Sequence, residues 1–194
     1  MSEGWTGVVL AGGRSSRMGT DKASLVVHTE GDRRVTLLDL ALEKLSPMVN
    51  DLLVIGHPHV HGHVGPFVIP DDTPGLGPLG GLVTAMRYAA HDRLLVLAVD
   101  MPRIHGHLLR KLQQRSGNFT DAVVPKHDGR TEPLVGAYHR RCAPFFSAML
   151  AQGSLRMTDA LEAVRTHHVD IDLRSGLWPS DLFHNVNRPE DLDP

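Results

Sequence analysis

Residues 8–25 read VVLAGGRSSRMGTDKASL. Val8–Leu10 is a short, apolar, β-branched run, and it stops at Ala11-Gly12-Gly13. Arg14, Ser15, Ser16 and Arg17 follow, then Gly19, then Asp21-Lys22. Two glycines at the end of a buried strand let the backbone approach a ligand with no Cβ in the way. Bare N–H groups, two guanidinium forks, two hydroxyls and an ammonium then fall within one short segment. Together they make a receptor for a polyphosphate. A Gly-rich turn with a solvated basic face is the plainer alternative, and Gly12-Gly13 alone would not exceed it.

Outward from this stretch, strand-like and helix-like segments alternate. Strands are expected at Gly7–Leu10, Leu52–Ile55, Pro66–Ile69, Arg93–Val99, Asp121–Val124, Pro133–Tyr138 and His167–Ile171. Helices are expected at Thr36–Leu45, Gly81–Ala90, His107–Gln114, Arg141–Leu150 and Thr158–Val164. In Thr36–Leu45 the apolar residues recur at helical spacing. Arg93–Val99 (RLLVLAV) is apolar throughout, as a strand buried on both faces should be. Such alternation predicts an α/β fold with a mostly parallel sheet, in one domain spanning residues 1–194. In such sheets ligands sit beyond the carboxyl ends of the strands. Gly12-Gly13, Gly56-His57, Asp71-Asp72 and Asp100 all fall at expected strand ends, so separate strands deliver polar groups to one rim.

Asp100 ends the most apolar strand. A carboxylate there suits Mg²⁺, a hard cation that takes oxygen ligands and keeps waters and phosphates. Capping a helix that starts near Ile104 is the alternative. Residues 70–82, PDDTPGLGPLGGL, contain Gly75-x-Gly77-x-x-Gly80, with Asp100 lying 20 residues further on. That is the dinucleotide-binding spacing. However, Asp71–Pro74 intervene after the strand, and Pro78 removes a donor from the supposed cradle. In FHNVNRPEDL, residues 183–192, Pro189 with Glu190 and Asp191 marks a helix start. Asn185 and Asn187 stand at i and i+2, so in extended chain they share a side, where their amides can hydrogen-bond a substrate.

The first stretch resembles the signature of the molybdenum cofactor guanylyltransferases, the MobA-like family of NTP transferases, which reads approximately LAGG-x-S-x-RMG-x-DKA. Here it stands as Leu10-Ala11-Gly12-Gly13, Ser15, Arg17-Met18-Gly19 and Asp21-Lys22-Ala23. Residues 71–82 resemble the family's D-x-x-PG-x-GPL-x-GL motif, and residues 185–191 its N-x-N-x-PED segment. Matching motifs run in order from Leu10 to Leu192. The resemblance implies a Rossmann-like three-layer nucleotidyltransferase fold. It implies transfer of GMP from GTP to molybdopterin, giving the guanine dinucleotide cofactor and pyrophosphate. Leu10, Ala11, Gly12, Gly13, Lys22, Asp71, Gly77 and Asp100 would then contact the nucleotide. Arg17 and Lys22 would neutralise the triphosphate, Asp100 would hold Mg²⁺, and Asn185 and Asn187 would meet the second substrate. Glu132-Pro133-Leu134, with Tyr138-His139-Arg140 after it, resembles the family's pterin-side segment. There Lys126, His127 and Arg130 could meet a phosphate or merely form a solvated hairpin loop. Handover of the product to molybdoenzymes or their chaperones is the partner expected.

Rival readings are a sibling transferase (cytidylyl transfer to the same cofactor, or nucleotidyl transfer to a sugar phosphate) and a catalytically idle nucleotide-binding protein. Gly13 and the PGLGPLGG loop favour guanine over cytosine, and the joint presence of Lys22 and Asp100 argues against idleness. The four histidines at 57, 59, 61 and 63 would share one face in extended chain, where weak Zn²⁺ or Ni²⁺ binding competes with a plain flexible loop. Gly56-His57 also stand where the family often has a nucleotide-contacting asparagine after this strand.

Composition narrows the classes further. The chain has 194 residues, 41% of them hydrophobic, and a net charge of −2. Size and composition suit one globular core. Near-neutral charge offers no global field for nucleic acid or an anionic membrane. One cysteine, Cys142, excludes an intrachain disulfide, fits a reducing compartment and is expected to serve packing. No signal-like or membrane-spanning apolar run is seen, so the cytoplasm is the expected location.

Overall fold

The computed structural model describes residues 4–12, 22–31, 33–58 and 67–192. In chain order the elements are β1 (Trp5–Leu10), β2 (Val26–Glu30), β3 (Arg33–Thr36), α1 (Leu37–Leu45), β4 (Asp51–Ile55), β5 (Phe67–Ile69), α2 (Gly77–Tyr88) and β6 (Arg93–Ala98). Then come α3 (Gly106–Arg115), β7 (Ala122–His127), β8 (Arg130–Thr131), β9 (Val135–His139), α4 (Ala143–Ala151), α5 (Met157–Glu162) and β10 (Thr166–Asp170). Short 3-10 turns occupy Lys22–Ser24, Ser46–Met48, Arg140–Cys142 and Pro189–Leu192.

Among the described residues, eight strands form one sheet in the order β10-β7-β9-β6-β1-β4-β5, with β8 paired to β7. β1 lies parallel to both β4 and β6, β4 to β5, and β7 to β10. β9 runs antiparallel between β6 and β7. The carboxyl ends of β1, β4, β5, β6, β7 and β10 therefore share one rim.

The strands of the centre carry apolar residues on both faces because both faces are covered. Val9, Leu95 and Leu97 pack with Leu38, Leu42 and Leu45 of α1 and Leu108 and Leu112 of α3. Val8, Leu10, Leu94 and Val96 turn the other way, toward Leu79, Leu82 and Met86 of α2 and Phe146 of α4. The period-2 alternation of strand side chains splits β1 and β6 between two cores, giving helix, sheet and helix layers.

Helix starts follow local chemistry. Thr36 caps α1: its side chain accepts from the Asp39 N–H at 3.2 Å, and Asp39 accepts from the Thr36 N–H at 2.8 Å. α2 begins at Gly77, four residues before the expected Gly81. Pro78 belongs to its first turn, where the missing N–H would be an orphan in any case. The β2–β3 hairpin, a separate two-stranded sheet, was not expected. Most of its residues are exposed, so it lacks the apolar alternation that marks a half-buried strand. The Asp128-Gly129 loop joining β7 and β8 has φ of 44° and 78°, the paired positive values of the commonest two-residue hairpin turn.

Candidate functional site at the carboxyl rim

Backbone bonds just beyond the strands lock the rim in step. The Val99 N–H donates to Leu10 O at 3.2 Å, Ala11 N–H to Ile55 O at 2.8 Å, and Gly56 N–H to Ile69 O at 3.0 Å. Gly12 emerges from this seam. A Cβ there would meet only Ile55 O, at an ordinary 3.8 Å, so packing among the described residues does not demand glycine at this position. Gly13 and Arg17, with the intervening Arg14-Ser15-Ser16, lie outside the described residues, as do His59, His61 and His63.

Three side chains from distant parts of the chain meet on this rim. The Lys22 ammonium lies 3.5 Å from Asp100 Oδ2 and donates to Asn187 Oδ1 at 2.7 Å. Lys22 opens a 3-10 turn that is pinned by the fully buried Ala23. Asp100 follows β6, and the buried Met101 anchors the chain directly after it. About a quarter of each charged side chain is exposed, 24% for Lys22 and 28% for Asp100. The pair is therefore reachable by a ligand yet shielded enough for its charge to act strongly. Asp100 is not a helix cap: the N-cap position of α3 is His105.

Asn187 is held by Asp191, a residue that the sequence marks only as part of a helix start. Asp191 Oδ2 accepts from the Asn187 N–H at 2.7 Å and the Arg188 N–H at 2.9 Å. These two bonds hold the Asp191 carboxyl below the usual carboxylate range. Asp191 reaches back over the first turn of Pro189–Leu192, half of a capping box, and thereby fixes the amide that meets Lys22. The signal available in sequence was the acid placed just after Pro189. The expected alternation of Asn185 and Asn187 is present: both are exposed while Val186 between them is fully buried. The Val186 N–H donates to Asp100 O at 2.8 Å, lashing this strap to the site. One turn earlier Phe183 stacks on His127, centroids 4.3 Å apart and nearly parallel.

Asp71 and Asp72, adjacent in sequence, have different partners. Asp72 is tied to α2, accepting from Arg87 at 3.1 Å and from the Tyr88 hydroxyl at 3.3 Å. Asp71 Oδ1 accepts from Thr73 N–H at 3.0 Å and from the Thr84 hydroxyl at 3.0 Å. It organises the loop that leads into α2. In that loop a Cβ at Gly80 would meet Thr73 Oγ1 at 2.8 Å, so glycine there serves packing. Gly77 is different: φ is +71° and a Cβ would meet none of the described residues within 4 Å. Its glycine is required by backbone conformation, and the space beside it is open among the described residues.

On the far side of Asp100, His127 Nε2 lies 3.0 Å from Glu132 Oε1, while Lys126 is half-buried and Arg130 exposed. Glu132, Pro133 and Leu134 precede β9 and belong to the rim. Tyr138, His139 and Arg140 do not. β9 is antiparallel, so His139 pairs with Arg93 at the start of β6, a strand's length from Asp100. Cys142 is fully buried and its thiol is pushed up to about 12 by burial, in keeping with a packing role. Among the described residues, no group of three or more His, Cys, Asp or Glu side chains could hold a metal by itself.

Similar proteins share the fold and much of the chain's length. A protein of Geobacillus sp. named "Probable molybdenum cofactor guanylyltransferase" is 32% identical over 96% of this chain and 95% of its own length. A protein of the same name from Pelotomaculum thermopropionicum is 35% identical over 96% of this chain and 89% of its own. The crystal structure of molybdopterin-guanine dinucleotide biosynthesis protein A from Archaeoglobus fulgidus superposes with a TM-score of 0.74 at 26% identity, over 96% of this chain and 94% of that one. The family model for the MobA-like NTP transferase domain matches residues 7–169. With its rim chemistry and its fold both accounted for, the chain belongs to the MobA-like NTP transferase family.

Proposed function

We propose that this protein transfers GMP from GTP to the terminal phosphate of molybdopterin and releases pyrophosphate. The observation that carries the reading is the meeting of Lys22, Asp100 and Asn187, 78 and 165 positions apart in sequence, at the carboxyl rim. The relatives' names support guanylyl transfer in particular.

The reaction needs positioning and charge neutralisation, with no nucleophilic side chain. The attacking group is a phosphate oxygen of molybdopterin, and the leaving group is pyrophosphate. Asp100 fits Mg²⁺, because a single rim carboxylate suits a cation whose shell is completed by waters and substrate phosphates. When bound, the metal supplies charge neutralisation at the phosphates. Lys22, with Arg17, lowers the cost of charge gathering on the triphosphate and the departing pyrophosphate. Asn187 fixes the direction of the Lys22 ammonium, and Asn185 beside it is assigned to the second substrate. The backbone of residues 10–13 and the loop opening at Gly77 read the base, with Asp71 holding that loop in shape and facing the nucleoside. No helix among the described residues is long and apolar enough to cross a membrane. We place the activity in the cytoplasm, within a single domain, with handover to molybdoenzymes as its sequel.

The test is incubation with each of the four NTPs, Mg²⁺ and molybdopterin, with detection of pyrophosphate and of the dinucleotide. GTP alone should yield both. A dinucleotide formed with CTP would convert the assignment to cytidylyl transfer, and no product with any NTP would favour an idle nucleotide-binding protein.

A further inference from the structure

An open cleft of about 490 Å³ lies outside the rim, lined by Lys44, Pro102, Arg103, Ile104, His105, Gly106, His107 and Asp181. The proposed reaction makes no use of it. Lys44 sits in the last turn of α1 with its side chain laid against the loop that follows Asp100, and its ammonium donates to Pro102 O. We propose that Lys44 is an acylation site, in which its amine, opening on this cleft, is acylated by small anionic donors of the acyl phosphate class.

Geometry and charge both support this. The amine is half-buried and lines the wall of the cleft, through which a donor can reach it. A neutral amine can keep one N–H on Pro102 O and still present its lone pair to a donor. Burial favours that neutral form and brings the group down to about 8, against a small upward pull from Glu43 beside it. The other polar groups facing it are Arg103, which is paired with Asp181, and the imidazoles of His105 and His107. With the N-terminus of α3, which opens at Gly106 without a side-chain cap, the Arg103 guanidinium and the ring N–H groups give a phosphate hydrogen-bonding partners at the opening, which favours an anionic acyl donor over a neutral one. In the step itself the Lys44 nitrogen attacks the acyl carbon and a C–N bond forms. The bond from that carbon to the phosphate oxygen breaks, inorganic phosphate leaves, and the nitrogen's proton passes to solvent.

The chain supplies its own controls, for it has four lysines, at 22, 44, 111 and 126. The folded protein is treated with acetyl phosphate between pH 6 and 10, and the acetylation rate of each lysine is read by peptide mass spectrometry. At pH 8 an amine titrating near 8 has a neutral fraction roughly a hundredfold above that of an ordinary lysine. Slower attack by a less basic amine and restricted access reduce the expected advantage of Lys44 over Lys111 to about tenfold. The rate at Lys44 should level off above pH 8 while the rate at Lys111 keeps rising, and in 8 M urea the difference should vanish. A rate at Lys44 no greater than at Lys111 at pH 8 overturns the proposal. A parallel series with the neutral N-hydroxysuccinimide ester of acetic acid tests the donor class. The preference for Lys44 should shrink with it, and an equal preference would overturn the assignment to anionic donors.

Discussion

Two carboxylates stand at opposite ends of the sheet, and both meet basic side chains. Asp100 lies beyond the carboxyl end of β6, and its nearest cation among the described residues is Lys22 at 3.5 Å. Asp121 lies just before β7, at the other end. It accepts from Arg141 Nε at 2.5 Å and from the Arg165 N–H, Nε and Nη2 at 3.0, 2.9 and 2.9 Å. Only 12% of the Asp121 side chain is exposed, against 28% for Asp100. Asp121 has its acceptor capacity filled by the protein's own donors and serves as a clasp between β7, β10 and the turn before α4. Asp100, with one loosely placed cation among the described residues, keeps capacity for a ligand. Proximity of opposite charges is common to both, and saturation of the lone pairs separates the pair closed within the fold from the pair open to a ligand.

The sharpest way to break this contrast is to neutralise each carboxylate. Asp100→Asn should lower turnover by about 10³-fold, the upper range for removing one preorganised charge from a phosphoryl site. Its melting temperature should stay within a degree or two of wild type. Pyrophosphate release and a thermal melt on the same sample check both halves. If turnover persists, the Asp100 carboxylate has no part in the chemistry. Asp121→Ala should do the reverse, costing about 2 kcal/mol of stability through the hydrogen bonds lost to two partly exposed guanidinium groups. For a chain of this length that means a fall of roughly 4–8 °C in Tm. Activity per folded molecule should be unchanged.

Acid titration sharpens the same contrast. The Arg165 guanidinium, helped by Arg141, holds the Asp121 carboxyl well below the usual carboxylate range. The folded state thus binds that proton less readily than the unfolded state. The stability it contributes is fully present above the unfolded value near 3.8 and is lost as pH falls below it. Urea unfolding between pH 5 and 2 should show a steep loss in wild type and a shallower one in Asp121→Asn. Equal slopes would mean that the clasp contributes nothing.

Smaller effects follow from the parts that serve Asp100. Asn187→Ala removes the amide that steers Lys22, and a lost hydrogen bond to a charged group should raise the KM for GTP about tenfold. Unaltered kinetics would show that Lys22 needs no such guide. Gly77→Ala forces a side chain into positive φ and should cost about 1 kcal/mol in chemical denaturation. Because a Cβ there meets no atom of the described residues within 4 Å, their packing adds nothing to that figure. A cost of several kcal/mol would show that the loop is packed more closely than described.

The core was legible because it is regular. β1 and β6 are apolar on both faces, and α1 has its spacing and its cap, so each announces itself locally. The β2–β3 hairpin was missed because its exposed residues leave no pattern to read, and α2 was begun late because Gly77-Pro78 reads as a turn. At the site, Lys22, Asp100 and Asn187 were legible as motif positions, each sitting where a strand or turn delivers it. The Asp191 bonds to residues 187 and 188 were not, because a first-turn acid says where a helix starts and nothing about what it steadies. The antiparallel run of β9, which carries Tyr138–Arg140 away from the rim, depends on pairing across the sheet and leaves no local mark.

The strap around Val186 has a temporal consequence. Its N–H closes on Asp100 O, and Asn187 closes on Lys22, although the sheet's central strands are complete some ninety positions earlier in the chain. A ribosome delivers the N-terminal parts first, so the nascent protein holds a nearly finished sheet with Lys22 and Asp100 in place and their amide partner still unmade. A chain clipped by a protease before residue 182 would lose the same partner. Such shortened products would be expected to bind GTP more weakly, by about the tenfold expected of Asn187→Ala.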